Sequence, residues 1–384
     1  MAGESGPGAA VALAGGVVGV GALFLPWLTV AGHGRISVLA WCFHIVVGAM
    51  LVLALGARGA AAGPARTGPL AVARCAVPRY YLLGVTVGQA VVASVAGGFL
   101  AIAAGRAGAW PMFALAVLVV AGLVGTTGRR GPSWAGPGLS AAIVVVAALT
   151  ITGGVEPGRD LVSGAGKAAF IMLFAFVGWE GAARLRGVHP GWLAAGAGLT
   201  GLVYVGLALS AGGNPAGETT AGTLPFVIAP LTSGGFGRSV AAVAGLLCAI
   251  ACARNLALVN ELARKEFTWL HRPLWTSGVA AVIAGAGVVL LHAGRLRLED
   301  LLSVPDAMAL AVFLTAAAGV LWEGHGAARC AAGAALLGYA MLIPFAGLAL
   351  VWPVAVLLAT ALIPSRPTPF RRRNSDAPDQ FRSL

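Results

Sequence analysis

Long apolar runs, separated by short polar and arginine-bearing segments, divide the chain almost from end to end. Runs near twenty residues have the length a helix needs to cross the hydrocarbon of a bilayer. They fall at about 10–31, 36–57, 80–104, 109–127, 134–153, 165–183, 191–211, 238–259, 274–293, 301–322, 327–344 and 346–363. The pattern predicts an all-α polytopic membrane protein with twelve transmembrane helices filling residues 1–363. The last two runs are joined tightly around Pro344 and Gly347. Residues 364–384 break the pattern with Pro364, Pro367, Pro369 and the run Arg371-Arg372-Arg373, and read as a disordered cytoplasmic tail able to touch anionic lipid.

Composition agrees with a membrane interior. The 384 residues are 59% hydrophobic and only 10% charged, against about 25% charged in an average soluble domain. A net charge of +12 on a soluble domain would suggest nucleic acid. Here the arginines lie between apolar spans, so nucleic acid is not an expected partner. With the amino terminus in the cytoplasm, the outer segments hold Arg35, Arg106, Arg159, Lys167, Arg238, Arg295 and Arg297, leaving eighteen of the 25 basic residues inside. That bias follows the positive-inside rule and places both termini on the cytoplasmic side of the inner membrane. Trp27, Trp110, Trp134, Trp192, Trp275, Trp322 and Trp352 lie towards span ends and read as interfacial anchors, whereas Trp179 lies near mid-span.

Two spans contain breaks. The first holds Gly15-Gly16-Val17-Val18-Gly19-Val20-Gly21 and then Pro26; the sixth holds Phe174-Ala175-Phe176-Val177-Gly178-Trp179-Glu180. The first run is no dinucleotide fingerprint, because no strand, helix start or ribose-binding acid accompanies it. Inside a membrane it marks either a discontinuous helix or a small-residue packing groove. Spans one and six are corresponding members of two five-helix units, about 10–153 and 165–322, with two extra helices at 327–363. An odd helix count before the second unit inverts it. Paired interruptions in corresponding halves are the best sequence pointer to a transporter's binding site.

The breaks also predict ligand chemistry. A half-helix that ends at a break exposes carbonyls, and one that starts there exposes amides. A zwitterion fits that pair, its carboxylate on the amides after Gly21 and its ammonium on carbonyls near Phe174 to Val177. Phe174, Phe176 and Trp179 would wall an apolar pocket. No metal-ligand cluster, catalytic constellation or nucleotide-binding loop is legible, so neither a cofactor nor an enzyme is expected.

These same residues carry a family resemblance. Gly19-Val20-Gly21-Ala22-Leu23-Phe24-Leu25-Pro26 resembles the first-helix motif of the amino acid–polyamine–organocation (APC) superfamily of permeases, and Phe174 to Glu180 resembles its sixth-helix motif. The segment from Thr223-Leu224-Pro225 through Asn260-Glu261-Leu262-Ala263-Arg264 is similar to the branch of bacterial methionine and branched-chain amino-acid exporters. The resemblance implies a LeuT-like 5+5 inverted repeat plus two C-terminal helices. It implies substrate held by Gly19, Val20, Gly21 and Ala22 and by Phe174, Ala175, Phe176, Val177 and Gly178, with Trp179, Glu180 and Arg254 in coupling or gating. One departure is clear: Ala182 to Pro190 lacks the acidic stretch common after the family's sixth helix.

The remaining polar residues leave alternatives open. Glu180 is either a proton-titrating residue or a structural carboxyl bonded to nearby backbone. Arg254 is either a fixed charge near the site, a partner of Glu180, or a snorkelling arginine at the inner interface. Val240 to Leu258 contains no Ser or Thr, which speaks against the sodium site of some relatives. His44 and His292 read as core or interface histidines, Gln89 as a helix or substrate contact, and Asp306 as a residue near the outer boundary without a role. The expectation is a secondary active transporter of neutral, apolar amino acids working by alternating access, with proton-coupled export one of the modes open to it. A transport-inactive amino-acid sensor or assembly partner on the same scaffold is the alternative, with an integral membrane enzyme further behind.

Overall fold

A computed structural model of the chain describes residues 6–57, 69–127, 135–150, 162–179, 182, 185, 188–211, 234–266 and 273–362. Among the described residues every regular element is helical. In chain order they are α1 (Pro7–Val17), α2 (Leu25–His33), α3 (Ser37–Ala57), α4 (Pro69–Ala103), α5 (Trp110–Thr126), α6 (Ala135–Thr150), α7 (Val162–Ile171), α8 (Pro190–Ala211), α9 (Gly234–Glu266), α10 (Pro273–His292), α11 (Leu298–Glu323), α12 (Gly326–Ala340), α13 (Ile343–Ala346) and α14 (Val351–Leu362). Short 3-10 turns at Val20–Leu23 and Met172–Phe176 continue α1 and α7, and another at Gly347–Leu350 links α13 to α14.

Helices form here because a backbone in hydrocarbon must satisfy its own hydrogen bonds, and a helix does so within one segment. Eight of the described helices are long and apolar enough to cross a membrane, among them Ser37–Ala57, Leu70–Ala103 and Leu298–Glu323. Two predicted runs merge into one of the eight, Gly326–Leu362. Pro7–Val17, Pro137–Leu149 and Gly164–Phe176 are apolar but shorter. The first and last of these belong to the two spans expected to be broken, and interruption is what shortens them. The chain is thus a multi-pass, all-helical membrane protein.

Helix α4 is the axis of the packing. It contacts α5, α9, α10, α11 and α14, and 83% of its most apolar stretch is buried, against 28% for α10. At 35 residues α4 runs about 50 Å, well beyond the hydrocarbon thickness. Arg74 and Arg79 near its start therefore reach the aqueous edge, where Arg74 pairs with Glu323 at the end of α11 and Arg79 with Glu266 at the end of α9 (3.5 Å). At the opposite end of α11, Glu299 pairs with Lys167 of α7 at 3.7 Å.

The tryptophans do not all behave as anchors. Trp192, Trp275, Trp322 and Trp352 are exposed, as interfacial rings are, but Trp27 and Trp110 are buried in the core. Position near a span end does not reveal which face of the helix a residue occupies. Trp134 and residues 363–384 lie outside the described residues.

Candidate functional site

The first expected interruption is present, and the sixth span leaves its helix where its break was expected; residues 180, 181, 183, 184, 186 and 187 just beyond lie outside the described residues. In the first, α1 ends when the Val18 amide bonds to the Ala14 carbonyl (2.8 Å), and Val18 and Gly19 then run extended. A single 3-10 turn follows, closed by Ala22 N–H to the Gly19 carbonyl at 3.0 Å, before Pro26 begins α2. Proline suits that place, since a helix's first turn has no use for its missing N–H. In the second, α7 tightens into the 3-10 turn Met172–Phe176 and stops at Val177-Gly178. Gly178 has φ +133°, a conformation that side-chain-bearing residues rarely adopt.

The two interruptions lie against each other. A Cβ on Gly21 would stand 3.3 Å from the Ala175 Cα, and a Cβ on Gly178 would stand 2.5 Å from the Gly16 carbonyl oxygen. Absence of side chains at these two positions is what permits the approach. Ser140 of α6 donates to the Gly15 carbonyl at 2.7 Å and so ties down the end of α1. Tyr204 of α8 donates to the Ala175 carbonyl at 3.3 Å, and the Gly19 amide is a further hydrogen-bond neighbour of the same hydroxyl. One buried phenol thus bridges both breaks.

The aromatic residues divide into packing and lining. Phe176 and Trp179 are fully buried and stacked on each other at 5.8 Å. Phe176 also meets His44 (4.8 Å, stacked), Tyr204 (5.4 Å) and Trp41 (5.7 Å). Trp179 fits only because residue 48 is glycine, where a Cβ would come within 2.5 Å of the indole Nε1. These two rings form a hub between α3, α8 and the end of the broken helix, not an open wall. Phe174 differs. It keeps part of its surface, as do Gly19, Val177 and Gly178, and faces Phe24 (6.4 Å) across the breaks. Val20, Gly21, Ala22 and Ala175 are buried.

Three polar residues emerge here, of which the sequence had offered only Gln89 as a substrate contact. His44 of α3 places Nε2 2.5 Å from the Ala169 carbonyl, so the proton sits on Nε2 and Nδ1 is left without a partner. Gln89 of α4 donates to the Val85 carbonyl at 3.0 Å, while its carbonyl oxygen is unpartnered. Asp306 corrects the expectation of a boundary residue. It is fully buried, with neither carboxylate oxygen at bonding geometry to a partner, and the Phe174 backbone amide is the polar group it approaches. It was missed because α11 starts at Leu298, and eight residues of helix carry Asp306 about 12 Å inward.

Arg254 is placed elsewhere. It is exposed on the face of α9 that carries Ile250 and Leu258, away from the buried stripe of Cys248, Cys252 and Leu256. That is the geometry of a snorkelling arginine. Glu180 lies outside the described residues. Among the described residues no three His, Cys, Asp or Glu side chains converge as a metal site would require.

In its all-helical, multi-pass fold the chain is similar to a membrane transporter of known structure. The particular likeness is to the Eremococcus coleocola manganese transporter. Its structure in complex with an aromatic bis-isothiourea substituted compound matches with a TM-score of 0.52 at 12% identity, covering 92% of each chain. A point variant of that protein matches with a TM-score of 0.52 at 13% identity over the same share. At such identity the likeness is one of fold alone. No protein-family model matches the sequence, and no curated protein does.

Proposed function

We propose that the chain is a secondary active transporter moving neutral, apolar amino acids across the cytoplasmic membrane by alternating access, with protons as coupling ion and export as its direction. The observation that carries this reading is the contact between the two breaks, Gly21 against Ala175 and Gly178 against Gly16. Two interrupted helices side by side bring helix-end amides and carbonyls to one place, which suits a carboxylate and an ammonium on one small molecule. The partly exposed Phe174 and Val177 offer an apolar side chain its contact. Gly19, Val20, Gly21 and Ala22 on one side, with Phe174, Ala175, Val177, Gly178 and the backbone of Phe176 on the other, form the proposed substrate site, the Phe176 ring itself being packed into the hub. Resemblance to the APC superfamily points the same way, as does the 5+5 reading in which the breaks occupy spans one and six. Both termini are cytoplasmic in this reading, and Glu180 belongs to coupling.

The name of the Eremococcus protein gives manganese as that protein's cargo. Fold likeness alone makes a divalent cation a second reading. Such an ion needs several hard or imidazole ligands, and among the described residues no such group of side chains forms. The amino-acid reading therefore stands first.

Purified protein in liposomes, loaded with each apolar amino acid in turn and held with and without a pH gradient, tests it. Saturable flux that responds to the gradient is the expected result. Binding without flux would replace transport by sensing, and manganese flux without amino-acid flux would favour the second reading.

A further inference from the structure

Asp306 is the one buried acid among the described residues. It stands on α11 immediately after Pro305, whose ring packs towards Gly84 and Gly88 of α4. Gly88 also meets the Phe174 ring, where a Cβ would come within 3.0 Å. The carboxyl group is thus held against the interrupted part of the sixth span, beside the partly exposed Phe174.

Among the described residues no ionised group is placed to neutralise it. On α4, Arg74 is taken by Glu323 and Arg79 by Glu266. On α7, Lys167 is taken by Glu299, which lies on α11 itself together with Asp300, whose carboxylate caps the Arg297 amide at 2.8 Å. His44 of α3 faces the Ala169 carbonyl, and Arg329 of α12 is exposed at the helix start. Tyr80 and Tyr81 of α4 and Tyr339 of α12 bring phenol hydroxyls, and α14 carries no ionisable residue. A bare carboxylate at such depth costs several kcal/mol. Two species can remove that cost: a proton, or a cation brought by the ligand.

The geometry points to Asp306 as an exchange site, whose carboxyl holds a proton when empty and releases it to receive the primary ammonium of a bound amino acid. The step balances. A neutral carboxyl and an ammonium become an ion pair, and one proton leaves to water on the side from which the amino acid came. Return of the empty carrier then carries a proton the other way, so one side chain supplies obligatory exchange of amino acid for proton. This rests on the transport reading above and adds to it the residue, the class of ligand group and the coupling.

Calorimetric titration in buffers of different ionisation enthalpy counts the protons released on binding. The probes are L-leucine, L-methionine, L-phenylalanine, the amine 3-methylbutylamine and the acid 4-methylpentanoate, applied to the full chain in detergent. Native protein is expected to release about one proton per amino acid or amine bound. Asp306→Asn is expected to abolish release and weaken amino acid and amine at least tenfold, leaving the acid unchanged. Asp306→Glu is expected to restore release, and thermal unfolding of both variants shows that they are folded. If no amino acid binds native protein, the transport reading fails. If amino acids bind without proton release, or Asp306→Asn still releases a proton, or the acid is weakened as much as the amine, only the assignment of Asp306 is overturned.

Discussion

In the first interrupted helix the chain leaves the helix through extended Val18 and Gly19 and recovers through one 3-10 turn, all in negative-φ backbone. In the second it tightens first and then turns sharply at Gly178, with φ +133°. The first break is therefore open to other residues in its conformation and closed to them by its neighbours at Gly21, though not at Gly19. The second is closed on both counts. The difference teaches which glycine sets backbone direction and which merely makes room.

Substitutions ranked by expected effect test that contrast. Gly178→Ala is the most damaging: the backbone cost alone is about 1–2 kcal/mol, and the new methyl meets the Gly16 carbonyl, a backbone atom that cannot step aside. We expect at least a tenfold loss of amino-acid flux in liposomes and a lowered melting temperature in detergent. Native values of both would show that the second break is not conformationally fixed. Gly21→Leu comes next, since its side chain enters the space between Ala175 and Leu25. Here binding measured by calorimetry should vanish while melting falls less than for Gly178→Ala, because the backbone itself is unstrained. Equal loss of stability in the two variants would erase the distinction.

Tyr204→Phe sharpens the comparison from outside. It removes the hydroxyl that joins the breaks and leaves the ring stacked on Trp41 at 4.8 Å. A buried hydrogen bond contributes about 0.5–1.5 kcal/mol to stability, so melting should fall slightly and affinity by no more than about tenfold. Arg254→Gln should have the smallest effect, within about twofold in flux, because the side chain faces outward. A complete loss of flux there would return Arg254 to the coupling machinery.

The breaks were legible because glycine and proline act locally: Gly19, Gly21, Pro26 and Gly178 announce a change of backbone wherever they stand. Helix-forming runs were legible for the same reason. What could not be read was the direction in which a helix faces. Asp306, His44 and Tyr204 lie on long uninterrupted helices, and their place beside the breaks depends on how α3, α8 and α11 rotate against their neighbours. Phe176 and Trp179 show the converse. Their sequence position was right, but the pocket wall expected of them is a packed hub built from Trp41, His44 and Tyr204.

Helix α11 is tethered at both tips, by Glu299 to Lys167 and by Glu323 to Arg74. The Lys167–Glu299 pair is open to solvent, and such a pair contributes no more than about 1 kcal/mol and weakens with salt, whereas Arg74–Glu323 is mostly buried and Arg74 also donates to the Gly319 carbonyl at 3.4 Å. The helix that holds the buried acid is thus tied lightly at the Lys167 end and more firmly at the Arg74 end. In the proposed transport cycle the Lys167 end is the cheaper one to open and the one tunable by ionic strength, while the dehydrated interior decides what crosses.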